Sequence, residues 1–216
     1  MTLQNHLDSL FEGLRQARSA EIALLEADAA ALVPFLSSAV EAALALDEEI
    51  DAALRLEQLC ELCAQVPGPE MADALIRILG HDEPAVRLAA CEALRDVGFE
   101  RYAEVARAME RAMDVGMGMP AMGEIPWILL EIGESSAFGL IRRLLEHEEA
   151  EVVASAIESL VEFGDPAAIA ALRPLIDDPR EVSAEDFEEE TSATIGMLAE
   201  EALEALEALE GLDEAE

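Results

Sequence analysis

Lysine is absent from this chain, aromatic residues make up 4% of it, and cysteine occurs three times. Each scarcity excludes something. Without lysine, all positive charge rests on 13 arginines, which face 48 Asp and Glu and leave a formal net charge of -35. A field of that sign repels phosphates, so nucleic acid is excluded as a ligand class. No stretch reaches about 18 uninterrupted apolar residues, so no membrane-spanning helix is expected and no membrane partner with it. The opening MTLQNHLDSLFEGLRQ lacks a basic region followed by an apolar core, so no cleavable signal is expected. Three cysteines do not make a disulfide framework and suit a reducing compartment, so the expected location is the cytoplasm.

What the chain does have is alanine and leucine at helical spacing. Apolar residues form 52% of it, enough for a core of closely packed helices in a single domain, and the clearest unit is Pro69 to Gly98. Its first half sets Met71, Leu75, Ile76 and Leu79 on one side. Its second sets Val86, Ala89, Ala90, Ala93, Leu94 and Val97 at offsets 0, 3, 4, 7, 8 and 11, one face of a 3.6-residue helix. Between them, His81-Asp82-Glu83-Pro84 is a turn in which an acid can cap the next helix and Pro84 can fill its first turn. The same offsets return at Ile195, Leu198, Ala199, Ala202, Leu203 and Leu206, and nearly so from Val152 to Phe163. Residues 134 to 164 align with the clear unit without a gap at a separation of 66, which places His147 on His81.

The chain divides accordingly. Residues 1–33 form an N-terminal cap with Leu7, Leu10 and Leu14 at helical spacing. Residues 34–66, 69–98, 99–133 and 134–164 are repeats, with Pro34 opening the first and Gly98 closing the second. Residues 165–216 form a last repeat with an acidic insertion and a capping helix ending at Leu209. Pro126 predicts a kink or a shortened helix in the fourth segment. The acidity is uneven: residues 1–66 hold 12 acids against 3 Arg, residues 67–133 hold 12 against 6, and residues 134–216 hold 24 against 4.

The pattern D-x-x-V-R followed by A-A-x-E-A-L-x-x-x-G, carried by Asp82, Val86, Arg87, Ala89, Ala90, Glu92, Ala93, Leu94 and Gly98, resembles HEAT repeats. It is similar in particular to the short bacterial kind also found in phycobilisome lyases. The resemblance implies an all-α fold, a right-handed α-solenoid of about five stacked antiparallel helix pairs. It also implies that second helices line a concave surface that binds other proteins. It implies no single activity.

No Ser/His/Asp, Cys/His or Gly-rich phosphate arrangement is present, so a non-enzymatic protein without cofactors is expected. Cys60 and Cys63 stand one helical turn apart and Cys91 one repeat later in an equivalent helix, but lacking a second CxxC or a nearby His they read as small buried residues rather than a metal site. His81 and His147, two repeats apart, stand on the order of 20 Å from each other, too far to share a metal ion. The candidate binding residues fall in three groups. Met113, Met117, Met119 and Met122, with the only tryptophan, Trp127, either form an adaptable apolar patch or plug a gap beside Pro126. Glu92, Glu131, Glu158 and Glu162 fall off the apolar stripes and should face outward from the second helices. Glu185, Glu188 and Glu189 flank Phe187 in the insertion, as a docking segment or a solvated loop. The expected function is an interaction scaffold, monomeric, for a protein with a basic or amphipathic surface. The alternatives are a bilin-lyase-like accessory protein or an acidic mimic of nucleic acid.

Overall fold

The computed structural model describes residues 2–182 and 193–213. The helices are α1 (Leu3–Leu25), α2 (Ala29–Leu44), α3 (Glu49–Gln65), α4 (Pro69–Leu79), α5 (Pro84–Asp114), α6 (Ala121–Ile132), α7 (Ala137–Leu144), α8 (Ala150–Phe163), α9 (Ala167–Leu172, continued by a 3-10 turn Arg173–Leu175) and α10 (Ile195–Asp213). Two short strands, β1 (Glu181–Val182) and β2 (Ala193–Thr194), pair antiparallel with Glu181 opposite Thr194 and close the base of the insertion.

The helices stack in two layers. Helix α5 is bent at Arg101, whose φ of -139° and ψ of 49° are not helical, so its two arms belong to successive pairs. One layer holds α2, α4, the second arm of α5, α7 and α9; the other holds α3, the first arm of α5, α6, α8 and α10. Each helix packs on its neighbours in the stack, and the buried apolar residues form one continuous cluster from Leu32 to Leu206. This is an all-α solenoid.

The periodic stripes are the buried ones. Leu94, Val86, Ala90, Leu160, Val152, Ala156, Ile195 and Ala199 are fully enclosed. Ser159 stands in the stripe of α8 as a buried polar residue, and its hydroxyl donates to the Ala156 carbonyl at 3.0 Å, so the stripe carries no orphaned group there.

Several local expectations are corrected. Gly98 does not end its helix. A side chain there would overlap Cδ1 of Ile132 and approach Cγ1 at 2.8 Å, so the glycine permits α5 and α6 to pack closely. The left-handed helix ends are at Gly116 (φ 67°), which follows α5, Gly133 (φ 71°) and Gly164 (φ 70°). The bend at Arg101 is tied to the end of α3: Arg101 Nη2 donates to the Ala64 carbonyl at 2.8 Å, and Glu104 accepts from the Gly68 N–H at 3.2 Å. Pro34 lies inside α2, which begins five residues earlier behind Asp28. Pro126 lies inside α6, which runs from Ala121, directly after Pro120, through the proline to Ile132, so the expected break is not found there. Leu209 is exposed and does not seal the stack, which Leu206 does.

The acidic turns also differ from one another. Glu48 caps α3 by accepting from the Asp51 N–H at 2.9 Å, and Asp165 accepts from the Ala167 N–H at 2.8 Å. Neither α5 nor α8 has a side-chain cap. In those two turns a histidine shapes the backbone instead: His81 Nδ1 accepts from the Glu83 N–H, and His147 Nδ1 from the Glu149 N–H, both at 3.1 Å. Arg87 Nη1 then donates to the His81 and Asp82 carbonyls at 3.1 and 2.7 Å. In the second turn Val153 occupies the position equivalent to Arg87, and Arg180, from the base of the insertion, donates to the His147 and Glu148 carbonyls at 2.7 and 3.1 Å.

Candidate functional site

Arginine is consumed by the architecture. Arg77 pairs with Glu41, Arg111 with Asp73, and Arg143 with Asp114, each reaching back one helix along the layer of first helices. On the second layer Arg87 pairs with Glu124 and Arg95 with Glu131. Exposed pairs of this kind add little stability individually. Their consequence is electrostatic: among the described residues, 11 of the 13 arginines have a carboxylate within 4.0 Å, so few cations are left to offset the surface acids.

Two grooves run along the second layer. The larger, about 570 Å³, lies between α1, α3 and the first arm of α5. It is walled by Glu57, Glu61, Glu92 and Asp96, with Leu88 as its one large apolar side chain and the rest divided between alanines and polar side chains. The smaller, about 420 Å³, lies between α6, α8 and α10, and here Trp127, Ile157, Val161 and Leu198 form an apolar floor rimmed by Glu158, Glu162 and Glu201. Size favours the first and chemistry the second, because a partly exposed aromatic ringed by charge is what an interface anchor needs. Trp127 is 37% exposed. Glu158 reaches solvent, yet the surrounding protein removes part of its hydration and raises its pKa above the ordinary carboxylate value.

The four glutamates expected to face outward are all exposed, but they divide. Glu92 belongs to the larger groove, Glu158 and Glu162 to the smaller, and Glu131 between them is held by Arg95 at 3.0 Å. The methionine group is separated. Met122 is fully enclosed, because α6 begins at Ala121 and turns that side chain into the stack. Met113 and Met117 are half-buried against the core, and Met117 lines a groove of about 490 Å³ on the opposite layer with Ile76 and Arg111. Met119 is exposed and lies over Gly123. The apolar patch joining Met113, Met117, Met119 and Met122 to Trp127 is therefore not formed: Met122 is enclosed in the stack, Met117 opens onto the groove of the opposite layer, and Trp127 opens onto another groove. Glu185, Glu188 and Glu189 lie outside the described residues.

Sequence reasoning missed Val161, Leu198 and Glu201. A signal was present: Trp127 and Val161 are large apolar residues one step off the core stripes of their helices, and only the stacking of α6, α8 and α10 brings them together. Cys60 and Cys63 are buried and Cys91 is partly buried, with its Sγ donating to Glu124 at 3.9 Å. Burial pushes each thiol up to about 12, with Glu124 adding to the shift at Cys91, so all three are thiols rather than thiolates at neutral pH.

Comparison with known proteins gives one sequence-level match. No curated protein matches the chain. Two crystal structures of engineered proteins resemble it at TM-scores of 0.38, one at 17% identity covering 88% of this chain and 90% of the other, the second at 18% identity covering 91% and 93%; overlap that weak adds nothing to the description of the fold. No helix among the described residues is long and apolar enough to cross a membrane. Residues 124–188, from α6 through the start of the insertion, match the family of HEAT repeats.

Proposed function

We infer that the protein is a cytoplasmic, non-enzymatic scaffold that binds a basic amphipathic helix of another protein in the groove between α6, α8 and α10. The observation that carries this reading is the pairing of Trp127 with a rim of Glu158, Glu162 and Glu201. A helix with leucines on one face and lysines on its flanks would cover the tryptophan and neutralise the rim together. Covering the exposed part of one tryptophan is worth about 2 kcal/mol at about 25 cal/mol per Å². The acids supply attraction at a distance and exclude acidic competitors. The match of residues 124–188 to HEAT repeats, which takes in α6 and α8 of this groove, supports the reading, since stacked helical repeats present extended surfaces to other proteins.

Surface-coupled binding kinetics with a synthetic Leu/Lys amphipathic helix test it. Trp127→Ala and Val161→Ser should raise the dissociation rate. Glu158→Gln with Glu162→Gln and Glu201→Gln should lower the association rate and flatten its dependence on salt. Rates that ignore both sets would move the interface off this groove.

A further inference from the structure

We propose that α1 is a self-association element, through which the first helices of two copies of this chain pair antiparallel. None of its side chains is buried, and it meets the rest of the fold only near its C-terminal end, where Glu21 accepts from Gln65 at 3.1 Å and Leu24 and Leu25 pack on the core. The remainder projects a stripe of Leu3, Leu7, Leu10, Phe11 and Leu14, from 43% to 89% exposed. Among these, Leu3, Leu7, Leu10 and Leu14 are spaced 4, 3 and 4 residues apart. That spacing keeps all four on one face over three helical turns, an apolar stripe that a second helix can cover.

Charge and area point to a second copy as the occupant. Between Leu3 and Leu25, Asp8, Glu12 and Glu21 stand against Arg15 and Arg18, a net of -1 in a chain of -35. This is where another molecule bearing the same acidic field can approach without strong repulsion. A nearly neutral seam gives no preference for a basic partner, and an apolar stripe on a helix is complementary to itself in a two-fold pair. Covering the five exposed apolar side chains of the stripe in each copy, at on the order of 100 Å² each, removes roughly 1,000 Å² from water, about the least that a specific interface needs. The antiparallel arrangement follows from the same charge. Helix α1 is roughly 35 Å long at about 1.5 Å per residue, so antiparallel pairing holds the two acidic stacks at opposite ends of the pair, well beyond a screening length of about 10 Å. A parallel pair would press them together.

Sedimentation velocity of the full chain, from low to high micromolar concentration at low and high salt, tests the proposal. The expected result is a reversible dimer whose fraction rises with salt. Leu7→Glu with Leu10→Glu should abolish it while leaving the thermal midpoint unchanged at low micromolar concentration, where both chains are monomers, because neither side chain is buried. A monomer under every condition, or a dimer that survives the double substitution, overturns the proposal. Orientation is read from oxidative cross-linking: Leu3→Cys copies mixed with Leu14→Cys copies should form the mixed disulfide in preference to the Leu3→Cys homodimer, and the reverse preference overturns the antiparallel arrangement.

Discussion

At Gly98 the chain omits a side chain because Ile132 of the next helix already occupies that volume. Gly98→Ala should therefore destabilise the fold by about 1 to 3 kcal/mol, although alanine favours helix, and Ile132→Ala in the same chain should recover part of the loss. Denaturant melts of the two single variants and the double variant check this; additive losses would refute the contact. Met122 carries a similar lesson. Methionines beside glycines and a proline look like an adaptable surface, but Met122 is enclosed, so Met122→Ala should cost about 2 to 5 kcal/mol. Trp127, five residues on, was legible as unusual and not as a groove residue, since its neighbours Val161 and Leu198 come from α8 and α10. Glu158 gives a pH signature. Its folded pKa lies above the unfolded one, so its contribution favours folding below the unfolded pKa and is lost as pH rises through the folded pKa. Glu158→Gln should raise stability at neutral pH, by less than about 0.5 kcal/mol for a residue that reaches solvent, and the gain should vanish below the carboxylate range. Thermal melts of both chains across that pH range check it.

Helices were readable wherever the 3.6-residue stripe was pure, as in Val86 to Val97 and Ile195 to Leu206. They misled where long-range packing chose the conformation, as in the unbroken passage of α5 through Gly98 and the bend at Arg101 held by Ala64. The turn at His147 shows the limit most clearly. Alignment over 66 residues finds the histidine and records the loss of the arginine at Val153, but nothing in one dimension says that Arg180 returns to the equivalent pair of carbonyls. Arg180→Ala and Arg87→Ala should accordingly cost similar amounts, about 1 kcal/mol each, because water can reach part of each turn. If thermal melts find one of them neutral, the equivalence fails. Leu94→Ala and Leu160→Ala, at the centres of the buried stripes, should each cost about 2 to 5 kcal/mol, while Glu92→Ala stays within about 0.5 kcal/mol.

Over the whole molecule, acid exceeds base by more than the arginines can cancel, since among the described residues most of them already pair with a carboxylate. Self-repulsion at -35 opposes compactness and is screened over about 10 Å at 0.1 M salt. The thermal midpoint at neutral pH should rise with added salt; a flat or falling midpoint would show that packing outweighs repulsion. The same field gives the groove between α6, α8 and α10 its selectivity, and the only tryptophan of the chain stands in it as a natural probe. Titration of a synthetic Leu/Lys amphipathic helix, followed by Trp127 emission, should give a saturable shift to shorter wavelength that is lost when Glu158, Glu162 and Glu201 are all changed to Gln. Binding seen by calorimetry with no change in that emission, or no binding at all, would contradict the assignment of this groove as the interaction site.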